Sequence, residues 1–112
     1  MPSPDPSLAQ HALRLKALGH VSRLAILRVL VQGAAEGTSV GDIQARLEIP
    51  PSTLSHHLSE LTQAGLLKST RIGTTILYAA RYETLRTLTD YLWQDCCKGG
   101  GWDPNCVCKE TP

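Results

Sequence analysis

The four cysteines of this 112-residue chain all fall near its C-terminal end. An adjacent pair, Cys96 and Cys97, is followed by Gly99, Gly100, Gly101, Trp102 and Pro104, and then by Cys106 and Cys108. Thiolates arranged in this way suit a soft ion. The glycines and the proline let the chain double back so that sulfurs distant in sequence can meet, whereas a cysteine that only fills a core needs no such loop. Trivalent arsenic and antimony carry a lone pair and are held best by three thiolates in a pyramid, and soft sulfur ligands select such centres against hard ions. Cys96 and Cys97 supply two sulfurs, provided that the last turn of any helix bearing them opens. Cys106 is the nearer third ligand and Cys108 the alternate, because closing two loops of such similar length costs almost the same entropy. A methylated arsenical would need only two of these thiolates.

Three other readings of the same residues stand beside this one. Zinc, cadmium or lead could use all four sulfurs, although structural zinc ligands usually lie two to four residues apart within each pair. Here one pair is adjacent and the other is Cys106-Val107-Cys108. The thiols could also form a regulatory disulfide, or the tail could be inert, as exposed termini often are. Trp93 reads as packing and Trp102 as a cover for the loop, neither as a ligand.

A second set of side chains suits nucleic acid. A helix from Pro51 to Ala64 places Leu54, Leu58, Leu61 and Ala64 on one stripe and Ser52, Ser55, His56, Ser59 and Gln63 on the opposite face. Hydroxyls and an imidazole on such a face can reach base edges and phosphates in a major groove. Thr53 at the helix start, and Lys68, Arg71, Thr74 and Arg81 after it, flank that face. An isolated polar helix face is more often plain solvent contact, so the surrounding elements carry the argument. Adjacent His56 and His57 point about 100° apart and do not make a metal pair. His56 is assigned to DNA and His57, beside Leu58, to partial burial. His11 and His20 carry no distinct signal.

The elements that must position these residues follow from periodicity and punctuation. Met1 to Ser7 is a proline-rich lead, with Ser7 as N-cap of a helix to about Leu18 whose apolar face is Leu8, Ala12, Leu15 and Leu18. Ser22 caps a second helix, Arg23 to Gln32, apolar enough to sit in the middle of a core. Thr38-Ser39 caps a short helix through Leu47, ended by Glu48-Ile49-Pro50. Pro51 suits the first turn of the next helix, where Ser52 or Thr53 can satisfy free amides. Leu66 to Arg71 and Thr74 to Ala80 alternate around Ile72-Gly73 as a hairpin. Helical period returns from Tyr82 to Cys97, with Leu85, Leu88, Tyr91 and Leu92 on one side. The predicted fold is mainly α with a β-hairpin, a winged helix-turn-helix.

Length allows one domain, small enough that pairing with a second copy would help it. The expected organisation is a flexible lead at 1–7, a DNA-binding and dimerisation domain at 8–97, and a metalloid-binding tail at 98–112. Net charge is +1, so DNA binding must come from a local patch. No run approaches the ~20 apolar residues that span a bilayer, and no signal peptide is visible; a cytoplasmic protein is expected. Clustered cysteines in a reducing compartment are more often ligands or redox centres than structural bridges. No nucleophile with its base and no phosphate-cradling loop points to an enzyme.

Three blocks carry a family resemblance: Leu18-Gly19-His20-Val21-Ser22-Arg23-Leu24-Ala25-Ile26-Leu27, Ser52 to Leu61 followed by Ala64-Gly65-Leu66-Leu67, and the wing from Arg71-Ile72-Gly73 to Tyr78. Over roughly residues 8 to 95 the chain resembles the ArsR/SmtB family of metal-sensing repressors. That resemblance implies a homodimer joined mainly through its first and last helices, bound to a palindromic operator and released by a toxic metal or metalloid. Two departures matter. Ser39 and Gly41 stand where the best-known arsenic sensors of the family carry thiolates, and Glu83 to Trp93 lacks the histidines of its zinc sensors. Some arsenic-responsive members are similar in having a cysteine pair at the end of the last helix and a third cysteine soon after. The expected inducer is therefore As(III) or Sb(III) bound by the C-terminal thiolates. A zinc-, cadmium-, lead- or redox-responsive repressor, or a metal-buffering protein that uses the scaffold only to dimerise, are the alternatives.

Overall fold

The computed structural model of the chain describes residues 6–94. The expected sites at Cys96, Cys97, Cys106 and Cys108, and most of the expected lead, lie outside the described residues. In chain order the elements are α1 (Pro6–Leu18), α2 (Val21–Gln32), β1 (Thr38–Ser39), α3 (Val40–Leu47), α4 (Pro51–Gln63), β2 (Leu67–Ile72), β3 (Thr75–Ala80) and α5 (Tyr82–Trp93). This is the predicted mainly α fold with a β-hairpin.

Helix α2 runs through the centre and touches α1, α3, α4 and β3. Its Ile26, Leu27 and Leu30 meet Ile43 of α3, Leu54, Leu58 and Leu61 of α4, and Leu66, Leu67 and Ala80 at the root of the hairpin. Burying one such side chain fully contributes roughly 1.5–3 kcal/mol, so this cluster is the main force that seats α4. The apolar ring of α2 is only half used. Val21 and Leu24 remain exposed, because α2 meets partners on one side and not around its whole circumference.

Several boundaries differ from expectation. Helix α2 begins at Val21, and its N-cap is His20, whose Nδ1 accepts from the Ser22 amide; an imidazole does the task expected of Ser22. Helix α1 starts at Pro6, so Ser7 lies inside its first turn. Ser39 does cap α3, accepting from the Asp42 amide at 3.2 Å. Helix α4 has Pro50 at its N-cap and no side-chain cap bond, so neither Ser52 nor Thr53 serves there. Helix α5 stops at Trp93, with Gln94 at ψ 131 as C-cap, short of the expected Cys97.

The hairpin belongs to a three-stranded sheet of order β1-β3-β2. Strands β2 and β3 pair from Leu67↔Ala80 to Ile72↔Thr75, joined by Gly73 and Thr74. Gly73 has φ 64, which a two-residue hairpin loop requires at its first position. Strand β1 adds two rungs, Thr38↔Tyr78 and Ser39↔Leu77, just before α3 begins. Gly37 makes that approach possible: it has φ 122, and an added Cβ would come 2.9 Å from Leu77 Cβ.

Candidate nucleic-acid interface

Helices α3 and α4 are joined by Glu48, Ile49 and Pro50, and Glu48 takes the left-handed conformation at φ 53. That turn swings α4 so that Leu54, His57, Leu58 and Leu61 face inward. The other side of the helix is then free by geometry. Ser52, Thr53, Ser55, His56, Ser59 and Gln63 are all exposed, so the structure gathers the predicted reading residues on one open face. Because Pro51 has no amide hydrogen and no side chain caps the helix, the Ser52 and Thr53 amides are left for an acceptor outside the fold. A helix N-terminus of this kind attracts phosphate through its aligned dipoles.

The hairpin supplies the second part. Lys68, Arg71 and Thr74 are exposed, and Arg71 Nε donates to the Gly73 carbonyl at 3.3 Å, which holds the guanidinium at the tip. Strand alternation separates the cations. Lys68 and Arg71 leave β2 on opposite faces, and Arg81 sits at the root, where its amide donates to Leu66 O at 2.9 Å. Thr74 lies in the turn rather than in β3. The three basic residues therefore line the wing from root to tip instead of forming one cluster. Between Glu48 and Glu83 the single acidic residue is Glu60, so this surface is positive although the chain is almost neutral.

Sequence reasoning passed over two histidines. His20 caps α2 and stands with its ring centroid 4.7 Å from that of His57. His11 is buried, stacked on Tyr91 at 4.1 Å, and its Nδ1 has no partner. His20 falls in the break between two helices, where no period marks it, but His11 stands three residues after Leu8 and four before Leu15, on the apolar spacing of α1, and could have been read as internal. His57 could have been read with more force: positions 54, 57, 58 and 61 form one helical stripe. Among the described residues no three His, Cys, Asp or Glu side chains gather in a group that could hold a metal. No helix of the described residues is long and apolar enough to cross a membrane.

A short helix, a tight turn, a second helix with a polar outer face, and a basic two-stranded wing define a winged helix-turn-helix DNA-binding protein. A family model described as a helix-turn-helix domain matches residues 18–70. The chain is 31% identical over 97 residues to the biofilm growth-associated repressor of Agrobacterium fabrum, across 87% of this chain and 80% of that one. It is 30% identical over 94 residues to the transcriptional activator HlyU of Vibrio cholerae, across 84% of each. The structure of reduced HlyU superposes with a TM-score of 0.65 at 30% identity, covering 81% of this chain and 93% of that one. The homodimeric winged helix-turn-helix DNA-binding domain of Mb0332 from Mycobacterium bovis gives 0.65 at 26% identity, covering 92% and 99%. The chain belongs to the winged helix-turn-helix transcriptional regulators related to the ArsR/SmtB family, a group of DNA-binding proteins and not of enzymes.

Proposed function

We propose that two copies of the chain pair through α1 and α5 as a transcriptional repressor on a palindromic operator, and that As(III) or Sb(III) bound by the C-terminal thiolates releases it. The observation that carries the DNA half is the open polar face of α4 beside a basic wing. Ser52, Thr53, Ser55, His56, Ser59 and Gln63 enter the major groove, while Lys68, Arg71 and Thr74 meet the backbone. Pairing is supported by apolar residues that stay partly exposed on the first and last helices: Leu13 is 63% exposed, Leu15 43%, Leu92 56% and Trp93 46%. The two recognition helices of such a dimer would sit about 34 Å apart, one turn of DNA.

The effector half rests on sequence and on where α5 ends. Cys96 and Cys97 follow Trp93 closely, and Cys106, with Cys108 as alternate, completes a three-sulfur site. Drawing these thiolates around one ion pulls on the end of a helix that forms the subunit seam, so both reading heads move together. The coupling is reciprocal: operator DNA weakens metalloid binding by the factor by which metalloid weakens DNA binding. Near-complete release requires roughly 5.5 kcal/mol of differential affinity. Titration of arsenite into a complex of the full chain with a duplex selected from a random library tests the whole reading. Release of DNA in wild type but not in Cys96→Ser or Cys97→Ser is expected, and unchanged DNA affinity at saturating arsenite would refute the effector assignment.

A second reading has one observation in its favour. One relative was solved in a form described as reduced, and the same four cysteines could report oxidation by forming a disulfide. Release by diamide, reversed by dithiothreitol and without response to arsenite, would select it.

A further inference from the structure

The recognition helix rests on a cluster of imidazoles that the DNA face itself does not use. His57 is only 5% exposed, and its Nδ1 accepts from Arg23 Nε at 3.0 Å. The His20 ring is 4.7 Å away and tilted by 58°, and its own Nδ1 accepts from the Ser22 amide at 3.1 Å. His56 lies on the outer side, 6.0 Å between ring centroids. A guanidinium N–H and a backbone amide can only donate, so both Nδ1 atoms keep their lone pairs and each neutral ring carries its proton on Nε2. That tautomer argues against a metal, since a ligating imidazole ordinarily donates through its second nitrogen. The arrangement instead fastens helices. Arg23 Nη1 also donates to Ala17 O at 3.4 Å, so one guanidinium joins α1, α2 and α4.

We propose that Arg23 and His57 are positioning residues for DNA reading, competent only while His57 is neutral, so that mild acid unseats α4 from α2 and weakens operator binding. The proposal rests on the DNA reading given above. Burial first, and then the neighbouring His20, Arg23 and His56, hold the His57 pKa below its ordinary value of 6.5, so the ring is neutral at pH 7. The groups that face it are His20 and Arg23 from the α2 side and His56 from α4. Lys16 of α1 and Glu60 of α4 line the groove beside Arg23, and of all these only Glu60 would favour an added positive charge. Protonation therefore places a cation against Arg23 and removes the acceptor that Arg23 uses. The sign is diagnostic, because protonating histidines at a DNA-binding surface otherwise strengthens attraction to phosphate.

The test uses the full chain with 15N-labelled histidine and a duplex selected from a random library at pH 7.5. Imidazole nitrogen spectra at pH 7.5 should show His57 protonated at Nε2 alone; a proton on its Nδ1 would overturn the proposal. Between pH 7.5 and 5.5, at constant ionic strength, wild-type affinity for the duplex should fall measurably and by less than about tenfold, the ceiling for one imidazole of ordinary pKa. His57→Asn keeps a carbonyl acceptor near the Nδ1 position and cannot titrate there, so its affinity should hold or rise across that range, as the remaining histidines of the DNA face gain charge. His56→Ala should bind more weakly throughout yet retain the acid loss. Equal loss in wild type and His57→Asn, or wild-type affinity that holds or rises in acid, sinks the idea. If His57→Asn does not fold by circular dichroism, the nitrogen spectra and the sign of the wild-type profile decide. Enrichment of no duplex at pH 7.5 refutes the DNA reading itself, an outcome separate from the tautomer result.

Discussion

At the scale of single residues, His57 and Leu58 show how one helical turn divides its tasks. Both are buried, but Leu58 contributes apolar area while His57 contributes one oriented acceptor. Leu58→Ala should cost 2–5 kcal/mol, roughly the range for a leucine truncated in a packed core, read as a lower urea midpoint with an unchanged slope. The histidine makes stability depend on pH. Its folded-state pKa lies below that of the unfolded chain, so the folded protein binds fewer protons. The contribution is therefore present above about pH 6.5 and is lost as pH falls through that value toward the folded pKa. Urea midpoints measured from pH 8 to pH 5 should drop on the acid side, by less in His57→Asn; an equal drop would assign the effect to other groups. The burial of Leu58 was legible from the 54, 58, 61 spacing. The acceptor role of His57 was not, because it depends on Arg23, which is distant in sequence.

At the scale of elements, punctuation residues decided most of what could be read in advance. Pro51, Gly65 and Gly73 marked the ends of α4 and the hairpin turn correctly, since each has a backbone restriction or freedom that the local conformation uses. Three features escaped. Strand β1 is only Thr38 and Ser39, too short for any alternation to show, and it exists because β3 offers it two rungs. The cap of α2 fell to His20, a residue type rarely counted among N-caps. The end of α5 at Trp93 comes where apolar spacing gives no stop signal, since neither glycine nor proline occurs until Gly99. Gly37→Ala tests the β1 junction. The new methyl would meet Leu77 and an unfavourable φ together, so a loss of about 1–3 kcal/mol is expected, with faster amide exchange at Tyr78. Unchanged stability would mean that β1 can leave the sheet at little cost.

At the scale of the whole molecule, the apolar residues left bare on α1 and α5 are the largest departure from what one chain could predict about itself. Of the apolar face expected on α1, Leu8, Ala12 and Leu15 are exposed and Leu18 packs half-buried against the core, while His11 and Ala17 are buried. Pattern alone marks a residue as apolar but not whether its cover comes from its own chain or from another copy. Leu15→Glu combined with Leu92→Glu should give a monomer in sedimentation equilibrium, with helical content retained and duplex affinity lost. A dimer of wild-type strength in that variant would place the seam elsewhere. The two rungs of β1 also limit how any signal can travel. They tie the wing to the start of α3, and the Arg81 amide ties the far end of the hairpin to the exit of α4. Wing and recognition helix are thus joined at both ends of the hairpin root into a single jaw. An effector that acted through α5, as proposed above, would leave the grip of each jaw alone and, like a hand on a pair of calipers, reset the span between two of them, with the proposed operator as the gauge of that span.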